Sequence, residues 1–120
     1  MMQLSVSLPH SMFVIADDIR TAETPPSIGA GRVASTSSMV VIGTQMAADG
    51  PTTIALLSAQ EAPDGVPAID LVLSTPRRKL RLFSTEGTPI YSVDTEGLTT
   101  RLRVWKNHAD EPDEIRVVVG

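Results

Sequence analysis

Residues 79–105 read KLRLFSTEGTPIYSVDTEGLTTRLRVW. Thr85-Glu86-Gly87 returns as Thr95-Glu96-Gly97, and a β-rich run follows each copy. Glycine enters the left-handed conformation of tight connections with no Cβ clash. The spacing of the two copies is about one strand plus one turn. The repeat therefore predicts two successive hairpin turns of a meander joining 79–84, 89–94 and 98–106. Three shared residues are too few for an internal duplication.

Outward from that stretch the strand signals continue. Gln3-Leu4-Ser5-Val6-Ser7-Leu8 alternates polar and apolar with the period of a strand that buries one face. Pro9 ends that run, because proline cannot donate to a ladder. Further strands are expected at 12–16, 38–43, 52–59, 68–74 and 114–119, with turn signals at Asp49-Gly50-Pro51 and through 61–67. Residues 17–31 hold Pro25-Pro26, Gly29 and Gly31, which exclude a long helix but leave room for a turn near Asp17–Ala22. No 3.6-residue apolar stripe persists for three turns. These signals predict one domain over 1–120: an all-β, antiparallel β-sandwich of about seven to nine strands with little or no helix, a barrel being the alternative. The expected core is Leu4, Val6, Leu8, Val40, Ile42, Ile54, Leu56, Leu71, Leu73, Leu80, Leu82, Leu102, Val104, Ile115 and Val117.

A chain of 120 residues, 42% apolar and 20% charged, can bury a core without metals or disulfides. It has no cysteine, which excludes disulfides, thiolate ligands and a cysteine nucleophile. The longest wholly apolar run, Met39-Val40-Val41-Ile42, is far below the ~20 residues of a membrane helix. The first residues lack a basic region and a cleavage site, so no secretory signal is expected and the cytoplasm is the expected compartment. The net charge is −4, which disfavours non-specific nucleic-acid binding. The charge is unevenly placed. Residues 1–76 carry two basic and seven acidic side chains, whereas 77–120 carry eight and seven.

The basic half defines the candidate binding surface. Alternation puts Lys79, Arg81 and Phe83 on one side of a strand, Arg101, Arg103 and Trp105 on one side of another, and Arg116 on one side of the last. If these strands share a sheet, one face shows all seven. Basic residues interleaved with aromatics suit an anionic partner through charge, stacking and cation–π contacts. The alternative is a solvated face whose cations pair with Glu96 or Glu114. The loop from Asn107 to Glu114 offers one imidazole and four carboxylates. It lacks the glycine and ligand spacing of a calcium loop, so a polar hairpin is expected there, with no metal. No catalytic residue and no cofactor are expected. His10 and His108 are the two histidines, Asp17 and Asp18 are adjacent and so point apart on an extended strand, and Gly29-Ala30-Gly31 lacks phosphate-loop spacing. Four aromatics are too few for a carbohydrate platform.

In general layout, an acidic cysteine-free β-sandwich of this length is similar to the small bacterial nuclease-inhibitor and competence-associated proteins. The likeness lies in layout and in no particular motif. Because the residues that catalysis needs are missing, a non-enzymatic module that binds a protein is expected; the likeness makes nuclease inhibition one form of it, with surface carboxylates engaging a basic enzyme cleft. Exposed sheet edges also suit self-association, as a homodimer. The competing class is an enzyme or small-ligand protein with a site between the sheets, where Asp17, Asp18, His10 and His108 would be the polar groups to examine.

Overall fold

Among the described residues ten strands form, most of them where the strand signals lie: β1 (Met2–Val6), β2 (Met12–Ala16), β3 (Val33–Ser35), β4 (Met39–Gly43), β5 (Thr52–Ser58), β6 (Ile69–Ser74), β7 (Lys79–Ser84), β8 (Pro89–Asp94), β9 (Thr99–Lys106) and β10 (Glu114–Val119). The computed structural model describes residues 2–26, 32–109 and 111–120; Gly29-Ala30-Gly31 and Asp110 lie outside the described residues. Among the described residues the helix content is three single 3-10 turns, and no helix is long and apolar enough to cross a membrane. β3 raises the strand number above the expected seven to nine; at three residues it is too short to show a period.

The strands make two five-stranded sheets, β1-β5-β10-β9-β6 and β3-β4-β2-β7-β8, and close into a sandwich rather than a barrel. All pairings are antiparallel except that of β5 with β10. The inner faces meet in a filled core containing Ile15, Ile42, Ile54, Leu73, Leu80, Leu82, Leu102 and Val117. Twelve of the fifteen expected core residues are buried there. Leu4, Val6 and Leu71 are only partly buried, because β1 and β6 are edge strands. Phe13 and Ile15 of β2 complete the core.

Sheet membership corrects the predicted meander. β7 and β8 are a hairpin, with Gly87 at φ 83° in its turn. β8 and β9 belong to different sheets, so the second Thr-Glu-Gly is a sheet-to-sheet crossing rather than a hairpin turn. It runs beside the β6–β7 crossing. Thr75 N–H donates to Leu98 O at 2.8 Å, Thr95 N–H to Arg78 O at 2.8 Å, and the Thr75 hydroxyl to Gly97 O at 2.9 Å.

Each sheet also contains one connection between strands that run in the same direction. β2 and β3 are both antiparallel to β4, so the chain after β2 must return along the sheet. The residues just after β2 lie over the outer face, where Ile19 and Ala22 cover Val14, Ala16, Met39 and Phe83. β5 and β6 likewise run in the same direction with β10 and β9 between them, and the 59–68 segment straps the outer face of that sheet. Its first turn lies against β5 and β10. On that face Val118 is fully buried and Leu57 nearly so.

Candidate protein-binding surface

The seven residues of the expected basic–aromatic face divide between the two sheets. Lys79, Arg81 and Phe83 lie on β7 in one sheet; Arg101, Arg103, Trp105 and Arg116 lie on β9 and β10 in the other. Both sets point outward, on opposite sides of the sandwich, so they form no common face. Phe83 does not reach solvent at all: it is 4% exposed, sealed under the segment that follows β2. Lys79 Nζ donates to Asp94 Oδ1 at 2.9 Å across the β7–β8 hairpin, and Arg81 is partly buried. In that half Phe83 is covered and Lys79 is paired, while the Arg81 Nε is covered and has no partner among the described residues.

The half on β9 and β10 stays together. The register sets Trp105 opposite Arg116, Arg103 opposite Val118 and Asp70, and Arg101 opposite Val72. Arg101 is taken up by Asp70 in a two-pronged pair, Nε to Oδ1 at 3.1 Å and Nη2 to Oδ2 at 2.9 Å. These bonds hold the Asp70 carboxyl below its ordinary pKa and raise that of Arg101. The guanidinium of Arg103 lies 5.9 Å from the Trp105 ring centre, within cation–π reach. Arg116 is exposed and has no acceptor among the described residues.

Beside Trp105 and Arg116 a cleft of about 180 Å³ is closed by Pro63 and Asp64 from the strap and by Asn107 and Glu114. The strap residues went unnoticed in the sequence as part of any site. Their placement follows from the same-direction connection of β5 to β6, which no local pattern reveals. The strap starts on a capping box, with the Ser58 N–H and hydroxyl both donating to Glu61 Oε1, which lowers the Glu61 pKa. It turns again at Gly65, φ 92°, between Pro63 and Pro67.

At the same end of the sandwich the loops 44–51, 85–88 and 107–113 gather. Thr44 N–H donates to Ser11 O and Gln45 N–H to Pro112 O, tying two of them together. The Asn107 side chain donates to Asp113 and accepts the amides of Asp113 and Glu114. Asp49, Glu86, Glu111 and Glu114 are exposed there, and among the described residues none is in an ion pair.

The polar groups weighed for a site between the sheets do not converge. His10 precedes β2 and Asp17 follows it, some five extended residues or about 16 Å apart. Asp17 accepts the amides of Arg77 and Lys79, while Asp18 holds Arg20 and Arg77. Among the described residues no three His, Asp or Glu side chains are grouped as metal ligands.

No known protein family matches the chain, and no curated protein matches it significantly in sequence. Its two-sheet fold is that of a small inhibitor protein of solved structure. That protein is ComJ from Bacillus subtilis, inhibitor of the DNA degrading activity of NucA. The match spans 99% of this chain and 94% of ComJ at a TM-score of 0.70, with 11% sequence identity.

Proposed function

We propose that the chain is a non-enzymatic module that binds another protein, in the manner of a nuclease inhibitor that occupies a basic enzyme cleft. The observation that carries this reading is the whole-chain fold likeness to ComJ. The charge supports it: a −4 chain carries on one loop-covered end four carboxylates that, among the described residues, are in no ion pair. Oppositely charged surfaces speed encounter and fix orientation. The filled core supports it too, since the inner faces leave the polar candidates scattered.

The test uses the tagged chain to recover its partner from native cells. The recovered partner's DNA degrading activity is then measured with and without the chain. A stoichiometric complex in which that activity falls, and which weakens as salt rises, is the expected result. A partner without DNA degrading activity overturns the inhibitor form. Recovery of no protein, together with a strict monomer by light scattering, overturns the binding module, a homodimer included.

A further inference from the structure

We propose that the corner formed by Trp105 and Arg116 receives a single carboxylate side chain from a protein partner, next to an apolar contact made by Val66. Of the cations near that corner, Arg101 is bound by Asp70, Arg103 donates Nη2–H to Gly120 O at 3.4 Å and lies 5.9 Å from the indole centre, and Lys106 Nζ donates to Ala109 O at 2.8 Å. Arg116 alone among the arginines of β9 and β10 is left exposed without an acceptor among the described residues. Its cross-strand neighbour Trp105 holds a second unanswered donor: the Nε1–H is covered and has no acceptor. A covered donor without a partner is unfavourable, so a ligand oxygen that reaches it when the indole shifts is favoured.

Size and charge narrow the ligand. The cleft, at about 180 Å³, is smaller than the roughly 300–1,000 Å³ of metabolite pockets and suits one side chain. Asp64 and Glu114 stand in its walls. They repel a multiply charged phosphate chain more strongly than one short carboxylate, which the Arg116 guanidinium can hold. Val66, two residues beyond Asp64, is 92% exposed on a turn held between Pro63 and Pro67. A proline-stiffened apolar tip loses little freedom on docking, and Trp and Arg are among the residue types enriched at interface hot spots. The proposal rests on the protein-binding reading and names its anchor.

Trp105 is the single tryptophan, so its indole N–H signal reports on this corner alone. The intact ¹⁵N-labelled chain is titrated with the blocked dipeptide N-acetyl-Leu-Glu-amide and, separately, with N-acetyl-Leu-Gln-amide. The glutamate peptide is expected to move the indole signal to saturation, about fivefold more tightly than the glutamine peptide. Arg116→Gln should erase that preference, and Glu114→Gln, which removes a wall anion, should strengthen binding about twofold. Both positions are exposed, so both variants should keep the parent melting temperature. Equal shifts with the two peptides, a preference that survives Arg116→Gln, or tighter binding of a single-stranded DNA oligonucleotide overturns the proposal. If the indole stays unmoved while the chain still captures its protein partner, the anchor is wrong and the protein-binding reading stands.

Discussion

Asp17 and Asp18 are neighbours, each almost inaccessible at 3% and 5% exposure, and they serve different segments. Asp17 Oδ2 accepts the Arg77 amide at 2.8 Å, while Asp18 accepts the Arg20 amide at 3.0 Å and meets the Arg77 guanidinium at 3.0 Å. Together they fasten the start of one crossover to the β6–β7 crossing. The Arg20 amide foremost, then the side chains of Arg20 and Arg77, holds the Asp18 carboxyl below the ordinary aspartate range. Asp70 is lowered by Arg101 and Asp94 by Lys79. A carboxylate whose pKa is lower in the fold than in the open chain stabilises the fold above the unfolded pKa. That contribution is lost as pH falls through the folded value. The melting temperature is therefore expected to hold level from neutral pH to about 5 and to drop below about 4. Asp18→Asn removes the most buried of the three, so its acid limb should be shallower than the parent's and its melting point lower at neutral pH. A melting series across that range checks this; an acid limb as steep as the parent's would mean that Asp18 adds nothing.

The twin Thr-Glu-Gly segments show how one sequence pattern serves two kinds of element. Gly87 sits at φ 83° in a hairpin turn with open space around it, so an added Cβ would meet no atom but would strain the backbone. Gly97 lies outside the left-handed region, and an added Cβ would approach Thr99 O at 3.3 Å. Gly87→Ala is expected to lose about 1–2 kcal/mol of stability from the left-handed penalty. Gly97→Ala should lose less, because a small shift of the neighbouring chain relieves its contact. Urea unfolding of the two variants measures the order, and a larger loss at Gly97 would show the crossing to be the stiffer element. The same pair marks what was legible. Alternation located nearly every strand and most of the core, because each strand's buried side repeats locally with period 2. Which sheet a strand joins depends on partners far along the chain, so β7 and β9 looked like near neighbours. Phe83 looked outward for the same reason: its cover is Ile19 and Ala22, supplied by a crossover that no local signal announces. Of the candidate surface, Arg101, Arg103, Trp105 and Arg116 share a face as alternation predicts, while the strap residues that shape the cleft read in sequence only as a loop.

At the scale of the whole molecule, the sheet that carries the candidate surface brings the first and last strands together with strands from the middle of the chain. β1 and β5 form one margin, β9 and β6 the other, and β10 is the strand that joins them. β10 adds Ile115, Val117 and Val118, all buried, and it makes the parallel pairing with β5 that an antiparallel meander would not need. Without β10 that sheet becomes two separate two-stranded ribbons, and such ribbons are marginal in water. The opposite sheet would then lose the apolar face against which Ile15, Ile42 and Leu82 pack. The pairings that define the fold are mostly between distant segments, and closing them takes loop entropy that local contacts do not return. A chain cut after Asp113 is therefore expected to have no cooperative urea transition and the far-ultraviolet spectrum of an unfolded chain. The full chain should unfold in one step and refold as a single phase on the millisecond-to-second scale of β-sandwiches. Should the shortened chain keep a cooperative transition, β10 would be an addition to a sheet that already holds together. The surface around Arg116 could then be removed without unfolding the rest.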